Sequence, residues 1–411
     1  MAIPTKREII DFSPINTGGK EELPVYRRRQ YAALKKALGA GPIVSVTGLR
    51  RVGKTTLIKQ LLQEGGDSFF FSFDEKRYAN RESLKAVIEA FLEEAEHPLI
   101  ALDEVFRVDD WAGVIKRYHD QKRAKFIVSG SSSLLIKKGI ESLAGRMLES
   151  TIAPLSFCEY LELSGKKPEK FSLRHAFGAK RRFSQEATEF LKKGSFPEAV
   201  KMDEATASQY IRSSTVEKII FDDIPSIFKI EHPSKLYDLM RLCANNSGRL
   251  FSEVNFAEAL QMSRHAVSDY LLYLNKAYLA DVIYPAGSFQ KALKKQKKAF
   301  VKTASIYNAL AESPSEGQAA ETAVYDKLSS KKVEFYRDPQ QHEVDFVCGL
   351  PIEVKYQSTI TGADSANLQY FMKKRNQGIG VMVTRDLFDE KKMDGKRIIF
   401  VPLDVFLLAD L

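Results

Sequence analysis

A short glycine-rich segment near the start of the chain has residue types and spacing suited to binding a nucleoside triphosphate. Gly48 to Thr55 reads GLRRVGKT, between the apolar run Ile43 to Val46 and the helical pattern Thr56 to Gln63. The backbone N–H groups of such a loop surround the β-phosphate, Lys54 would reach the terminal phosphates and the Thr55 hydroxyl would join the Mg²⁺ shell. A glycine-rich turn that merely packs a helix on a strand leaves Lys54 and both threonines without a role. The predicted nucleotide-binding residues are Gly48, Arg50, Arg51, Val52, Gly53, Lys54, Thr55 and Thr56.

Paired acids at the end of a later apolar strand supply the groups that this loop lacks. Leu99 to Glu104 reads LIALDE. We expect Asp103 to hold Mg²⁺ through its water shell and Glu104 to orient and deprotonate the attacking water. The weaker alternative is that the two acids only cap the next helix.

Further polar residues follow in the same part of the chain. The strand Lys125 to Gly130 ends in SGSSSLL, where Ser129 or Ser131 would sense the γ-phosphate, although serines at such a turn are also ordinary helix caps. Arg146, in SLAGRM, would supply positive charge for phosphoryl transfer, either in cis or across a subunit boundary.

A second set of chemically capable residues lies in the last quarter of the chain. Asp345 is followed eight residues later by Glu353 and then by Lys355, and Glu321 lies on the preceding helical pattern. Asp345 and Glu353 would bind one or two Mg²⁺ ions, Lys355 would position or deprotonate a water, and Glu321 would complete the metal shell. The pattern resembles the active site of restriction-endonuclease-like proteins. The alternative is a cross-strand salt bridge between Lys355 and Asp345.

The pattern of apolar residues predicts the elements that position these groups. Strand runs alternate with helical patterns from Pro42 to about Pro154, which indicates an α/β fold with a parallel sheet. The predicted domains are a P-loop ATPase core at 1–154, a helical lid or connector at 155–247, a winged helix-turn-helix with a basic linker at 248–312 and a nuclease-like α/β domain at 313–411.

The predicted helix-turn-helix places Ser263 as the cap of its second helix. The exposed face of that helix would carry Arg264, His265, Ser268 and Asp269, and many such three-helix units bind protein rather than DNA. The run Lys291 to Lys302 contains six lysines and suits a solvated surface segment about as well as a stripe that contacts a phosphate backbone.

Composition restricts the class of protein. The 411 residues are 44% hydrophobic and 28% charged, which is typical of a folded protein, and a net charge of +9 makes a polyanion a natural partner. The chain lacks the long apolar stretch of a membrane helix and the apolar core of a signal peptide, so we expect a cytoplasmic protein. Three separated cysteines argue against disulfides and against a zinc site.

Several motifs taken together resemble one family. GLRRVGKTTL, LIALDEV, DDW, SGSSSLL, SLAGRM, PLSFCEYL, GSFPEAV and the EVDF...IEVK segment are similar to the predicted AAA-type ATPases of archaea and bacteria that carry a C-terminal domain of unknown function (DUF4143). The resemblance implies an AAA-type module with a winged helix and a nuclease-like domain. In FDDIPSIF, Phe221 stands where relatives tend to have a basic residue, which leaves the roles of Asp222 and Asp223 in doubt.

Three hypotheses about function follow. The first is an ATPase that binds branched or single-stranded DNA, uses ATP and Mg²⁺, and has an additional metal-dependent endonuclease activity. The second is an ATP-switched DNA-binding or assembly protein whose last domain is not catalytic. The third is a signalling NTPase whose helix-turn-helix contacts protein. AAA-type packing would place the nucleotide at a subunit boundary, which makes a homo-oligomer one expectation.

Overall fold

The chain forms two compact units, of which the first ends at Pro154 and the second begins at Leu155. The structure is a computed structural model that describes residues 2–130, 143–169, 171–172, 183–287, 296–393 and 395–410. No helix within these residues combines the length and apolar character needed to cross a bilayer.

The first unit alternates helices and strands. Its helices are α1 (Lys6–Ile10), α2 (Tyr31–Gly39), α3 (Lys54–Leu62), α4 (Arg81–Glu94) and α5 (Trp111–Asp120). Its strands are β1 (Ile43–Thr47), β2 (Ser68–Ser72), β3 (Leu99–Asp103), β4 (Lys125–Gly130) and β5 (Met147–Thr151). All pair in parallel, in the order β2-β3-β4-β1-β5, as the alternating pattern predicts.

The register of this sheet brings the predicted ATPase residues to one edge. β4 lies between β3 and β1, and Leu102 pairs with Val128 while Val46 pairs with Ser129. Parallel strands share one direction, so the residues that follow β1, β3 and β4 meet at the carboxyl edge of the sheet. β1, β3 and β4 are mainly apolar and almost wholly buried, as expected where helices cover both faces of a parallel sheet.

The second unit begins with a mainly helical stretch. It contains α6 (Phe157–Leu163), the short strand β6 (Phe171–Ser172), α7 (Ser184–Lys193), α8 (Glu204–Tyr210) and two π-helical turns (Ile211–Glu217 and Ile219–Asp223). A packed core sits within it, since the rings of Phe157 and Phe190 lie 5.3 Å apart.

Three helices and a small sheet follow. They are α9 (Pro233–Asn245), β7 (Leu250–Phe251), α10 (Glu253–Leu260), α11 (Arg264–Lys276), β8 (Ala280–Ile283) and β9 (Lys297–Val301). The strands are antiparallel in the order β7-β9-β8, so β9 is paired on both sides. The Ser263 hydroxyl accepts a hydrogen bond from the Ala266 N–H and caps α11, as the sequence predicts. The helix α9 lies N-terminal to the predicted boundary at 247/248, yet it packs against α10, α11 and β9.

The last elements form a mixed sheet with flanking helices. They are α12 (Ala304–Leu310), α13 (Glu316–Leu328), β10 (Glu334–Arg337), β11 (Glu343–Cys348), β12 (Leu350–Lys355), α14 (Ala366–Lys374), β13 (Ile379–Thr384), β14 (Asp389–Met393), β15 (Lys396–Pro402), α15 (Leu403–Leu408) and β16 (Ala409–Asp410). The sheet order is β10-β11-β12-β13-β15-β14, with parallel pairing on both sides of β13. The hairpin β11–β12 carries the predicted Asp345 and Glu353 on adjacent strands.

Candidate functional site

The phosphate loop connects β1 to α3 at the carboxyl edge of the first sheet. Gly48 has a φ of 141°, and a Cβ at this position would lie 2.2 Å from the Ile152 carbonyl oxygen. Only glycine combines that backbone conformation with so close an approach. α3 begins at Lys54, so the N–H groups of its first turn and its positive dipole face the loop. The loop is therefore built to receive an anion.

Lys54 lies inside this loop. Its Nζ donates hydrogen bonds to the carbonyl oxygens of Gly48 (3.0 Å) and Leu49 (3.1 Å), and the residue is 7% exposed. These carbonyl groups hold the ammonium in the loop and carry no net charge.

Asp103 connects the loop to the neighbouring strands. Its Oδ2 accepts a hydrogen bond from the Thr55 hydroxyl at 2.8 Å, and its Oδ1 accepts one from the Ser129 hydroxyl. The Glu104 backbone N–H also donates to Oδ1, at 3.2 Å. The structure thus brings the predicted Thr55, Asp103 and Ser129 into direct contact. Ser131, the other candidate sensor, lies outside the described residues.

Glu104 follows β3 in a left-handed conformation, with a φ of 51°. Its Oε2 lies 3.7 Å from Arg107 Nε, and Arg107 also lies 3.4 Å from Asp74. Arg50 of the phosphate loop approaches the same Asp74 carboxylate, at 3.9 Å. The predicted base is therefore linked to the loop through two arginines and one exposed acid.

The other predicted loop residues occupy different environments. Arg51 is exposed, Thr56 is half-buried and Val52 is fully buried. The Val52 carbonyl oxygen accepts a hydrogen bond from the buried Arg28, which also donates to the Ala153 carbonyl at 2.7 Å. Arg28 was missed at the sequence level because it is one of three successive arginines with no distinguishing signal.

Arg146 does not lie near the loop. Its backbone carbonyl accepts a hydrogen bond from the Ile43 N–H at the amino end of β1, whereas the loop follows the carboxyl end of that strand. Five residues of strand span about 16 Å. The Arg146 side chain is 40% exposed and lies 2.7 Å from Asp120. The structure thus corrects the predicted role of Arg146 in cis, and the role across a subunit boundary stays a prediction.

The predicted acids of the last domain do come together. Asp345 on β11 lies beside Glu353 on β12, since the Asp345 N–H donates to Glu353 Oε2 at 3.4 Å. Glu353 Oε1 lies 2.9 Å from Lys355 Nζ, and Asp345 Oδ2 accepts a hydrogen bond from the Val354 N–H at 2.9 Å. The sequence offered a cross-strand salt bridge between Lys355 and Asp345 as an alternative. In the structure Lys355 pairs instead with Glu353, on its own strand.

A lysine that the sequence analysis did not single out enters the same cluster. Lys298 of β9 is 2% exposed, and its Nζ lies 2.8 Å from Glu343, 3.2 Å from Asp345 and 3.5 Å from Glu321. We call the following six residues the acid cluster: Lys298, Glu321, Glu343, Asp345, Glu353 and Lys355. At least one lysine of the basic run is thus neither solvated nor a surface contact.

Burial and charge shift the pKa values of these groups. Burial, together with the negative charge of Asp345, raises the pKa of the Glu321 and Glu353 carboxyls. Burial alone would lower the pKa of Lys298, but the charges of Asp345, Glu321 and Glu343 outweigh it and raise that pKa. Lys298 therefore remains a cation inside the protein.

The acid cluster does not fit the Mg²⁺ ion predicted at Asp345 and Glu353. A metal ion needs carboxylate oxygens directed at one point, but Lys298, Lys355 and the Val354 N–H already contact them. Among the described residues, no group of three His, Cys, Asp or Glu side chains is arranged to hold a metal ion. The structure thus corrects the predicted metal site, and no hydrolytic step through Glu321 or Lys355 follows from this arrangement.

Two members of the acid cluster had weak sequence signals. Glu343 precedes Asp345 by two residues, so both side chains lie on one face of β11. Lys298 precedes Phe300 by two residues, and Phe300 is fully buried. Because side chains two residues apart lie on one face of a strand, this spacing could have indicated that Lys298 faces the core. The surrounding lysines suggest an exposed segment instead.

The predicted exposed face of α11 is exposed. Arg264, His265, Ser268 and Asp269 all face solvent, and Arg264 lies 3.1 Å from Glu253. Leu272 on the same helix is half exposed. The face is therefore available for contact, with mixed charge.

Comparison with protein families agrees with the geometry of the phosphate loop. Residues 40–161 match the model of an AAA domain. Residues 184–317 match a domain of unknown function (DUF8612), and residues 316–406 match another (DUF4143). The predicted P-loop ATPase core of AAA type and the predicted C-terminal domain of unknown function are confirmed.

The chain is also similar to whole proteins. An uncharacterised protein of Methanocaldococcus jannaschii is 26% identical over 409 residues, covering 89% of this chain and 84% of that protein. A second protein of that organism, also uncharacterised, is 27% identical over 318 residues, covering 74% and 71%. A solved Walker-type ATPase of Pyrococcus abyssi aligns with 70% of this chain and 96% of its own, with a TM-score of 0.48 and 15% identity.

Proposed function

We propose that this chain binds and hydrolyses ATP in its first unit and binds DNA through its second. The observation that carries the ATPase proposal is the hydrogen bond between Thr55 and Asp103, at 2.8 Å, beside the buried Lys54. A phosphate-loop hydroxyl bonded to a strand-end carboxylate is the pair of groups that P-loop enzymes use for Mg²⁺. Thr55 and Asp103 would hold the ion, which neutralises charge on the phosphates.

The residues of this chain have separate tasks in the proposed reaction. Lys54 would bind the terminal phosphates, and the N-terminus of α3 would donate N–H groups to them. Glu104 would accept the proton of the attacking water. The Ser129 hydroxyl, which donates a hydrogen bond to Asp103, would respond to the γ-phosphate. Lys54 and the N-terminus of α3 would thus serve nucleotide binding, whereas Glu104 would serve hydrolysis.

Two variants test the ATPase proposal. Glu104→Gln should retain nucleotide affinity and lose hydrolysis by about 100-fold or more, because a positioned general base contributes about 10²–10⁴-fold. Lys54→Ala should lose both, and Lys36→Ala, an exposed lysine of α2, should lose neither. Fluorescent-nucleotide titration and phosphate release measure the two quantities. Undiminished hydrolysis in Lys54→Ala would refute the assignment of this site.

The DNA-binding proposal is supported by the net charge of +9 and by the arrangement of α9, α10, α11 and the sheet β7-β9-β8. Three helices followed by an antiparallel pair of strands support the proposal of a winged helix, in which α11 would contact DNA. The capped, solvent-facing α11 supports such a role. Single-stranded or branched DNA stays the proposed preference.

A salt titration separates this proposal from the signalling alternative. We expect mobility-shift affinity for single-stranded, duplex, forked or four-way DNA to fall linearly on a log–log plot against salt concentration, because phosphate contacts release counterions. The shift should depend on ATP and on Arg264, with Lys36→Ala as the matched control. If no DNA shifts at low salt, the second unit contacts protein instead and the proposal fails.

The ordered acid cluster favours the version of this proposal in which the last domain is not catalytic. Folded Asp345→Ala should then retain both the ATP hydrolysis and the DNA affinity of the parent, because Asp345 would take no part in either activity. Metal-dependent cleavage of DNA by the parent, abolished in Asp345→Ala, would restore the endonuclease hypothesis.

A further inference from the structure

The position of Lys298 is fixed by the strand that carries it. β9 pairs with β7 on one side and β8 on the other, and Lys298 pairs with both Leu250 and Ile283. Lys297 points to the opposite face, where its Nζ contacts Glu253. A shift of β9 by one residue would exchange these two faces, so the register sends Lys298, and no other lysine of the strand, into the acid cluster.

Aromatic packing holds β9 against the elements that carry the acids. Phe300 lies on the same face of β9 as Lys298, and its ring stacks on Tyr325 of α13 at 4.4 Å. The ring of Phe346 on β11 lies 5.5 Å from Phe300. The ammonium is therefore anchored beside Asp345 by a buried hydrophobic contact as well as by charge.

The number of donor protons on the ammonium matches the number of acids around it. A lysine has three donor protons, and carboxylates from three positions lie around Lys298 Nζ: Glu343 at 2.8 Å, Asp345 at 3.2 Å and Glu321 at 3.5 Å. One of these acids comes from a helix and two from a strand. Two of these acids, Glu321 and Asp345, are among those that the sequence suggested for a metal ion.

The backbone near Gly248 closes the side of the cluster formed by Glu321. Gly248 has a φ of 80°, and a Cβ there would lie 2.7 Å from the Glu321 carboxylate. Its N–H donates to the Ala299 carbonyl of β9, and Ser247 Oγ lies 2.9 Å from Thr322 Oγ1. The segment before β7 thus packs directly against the acid on this side of the cluster.

We propose that Lys298 is a built-in cation that takes the position of a divalent metal ion in the acid cluster. A metal ion bound to Asp345 would lie within a few ångströms of a fixed ammonium, and the two positive charges would repel each other. The acid cluster thereby joins the three-helix region to the last domain as an internal ionic contact. This inference concerns the second unit alone and stands independently of the proposed ATPase and DNA-binding functions.

Manganese binding tests this proposal without any enzymatic readout. The full-length chain carrying Asp103→Asn, which weakens metal binding at the phosphate loop, is titrated with Mn²⁺ and free ion is measured by electron paramagnetic resonance. With Lys298 present, Asp345→Asn should leave the titration unchanged. Lys298→Ala should bind one more Mn²⁺ than the parent does, and adding Asp345→Asn should remove that site.

Lys297→Ala provides the matched control, because it removes the same charge from the opposite face of β9 and should gain no Mn²⁺ site. The proposal would be overturned if the parent, which retains Lys298, bound a Mn²⁺ ion and Asp345→Asn abolished that binding. A folded Lys298→Ala variant, verified by circular dichroism, that gains no site would also overturn it.

If Lys298→Ala does not fold, the Mn²⁺ titrations of the parent and of Asp345→Asn test the proposal instead. Identical titrations then support the proposal, and a site lost with Asp345 refutes it.

Discussion

Asp103 in the first unit and Asp345 in the second are both carboxylates of sheet strands in a buried setting, but groups of different charge surround them. The hydroxyls of Thr55 and Ser129 and a backbone N–H donate to Asp103. The ammonium of Lys298 and a backbone N–H contact Asp345. Hydroxyl donors orient a carboxylate without offsetting its charge, whereas an ammonium at 3.2 Å offsets part of it.

This difference shows that an acidic motif acquires its chemistry from its partners. Asp103 retains charge that can attract a hydrated cation at the loop. Asp345 and its neighbouring acids have a resident cation, and removal of one partner would leave uncompensated charge inside the protein. The two aspartates should therefore respond differently to the same substitutions.

The largest expected effect comes from removing the resident cation. Lys298→Met should lower the free energy of unfolding of the second unit by about 3–5 kcal/mol, because breaking a buried ion pair leaves its partner unpaired. Lys332→Met, which removes the exposed pair with Glu334, should cost about 1 kcal/mol or less. Denaturation followed by far-UV circular dichroism measures both. Trp111, the single tryptophan, reports the first unit separately. Equal losses in the two variants would contradict the proposed difference.

Neutralising each aspartate tests the comparison directly. Asp103→Asn keeps the size of the side chain and should lower Mg²⁺-dependent ATP hydrolysis on the order of 100-fold, since electrostatic groups at a reacting centre are worth about 2.7–4 kcal/mol. Asp345→Asn should leave hydrolysis unchanged. A steady-state phosphate assay over a range of Mg²⁺ concentrations separates loss of metal affinity from loss of turnover. Similar losses in both variants would mean that the second site participates in ATP chemistry.

Gly248 offers a test of how closely the acid cluster is closed. Gly248→Ala should destabilise the second unit by about 2–3 kcal/mol, since it adds backbone strain and a clash with Glu321. Gly349→Ala is the matched control, because its φ of 76° is similar and no atom lies within 4 Å of the added Cβ. It should cost about 1 kcal/mol. If the two losses are equal, Glu321 is free to move and the cluster is open.

The smallest effect is expected at Ser129. Ser129→Ala removes one hydroxyl donor from Asp103, and a hydrogen bond of this kind contributes about 0.5–1.5 kcal/mol. The thermal stability of the first unit should fall accordingly, while that of the second unit should not change. A large loss of nucleotide affinity instead would indicate that Ser129 contacts the nucleotide directly.

The two candidate sites were predictable from the sequence to different degrees. The GLRRVGKT loop requires only that a strand precede it and a helix follow it, and both are local patterns. Asp103 and Ser129 could be added because parallel strands bring their carboxyl ends to one edge. Arg146 could not be placed, because the strand register that puts it at the opposite edge is not a local property.

The acid cluster required more than local patterns. Alternation along β11 and β12 correctly predicts that Asp345 and Glu353 meet, and the helical pattern supplies Glu321. Nothing near these residues indicates that Lys298 joins them, since 47 residues separate Lys298 from Asp345. Its lysine-rich surroundings suggest a surface segment, whereas the packing of Phe300 on Tyr325 and Phe346 directs this face inward.

The sequence by itself determined which residue types were available: a phosphate loop, strand-end acids and a D-x(n)-ExK pattern. It also determined the parallel α/β order of the first unit, because apolar runs and helical patterns record local geometry. The tertiary structure decided which charges became neighbours. Since Coulomb interactions depend on distance in space and on burial, the partner of a buried carboxylate is fixed only when the sheets pack. That packing leaves the charge of Asp103 facing hydroxyls and gives Asp345 a lysine.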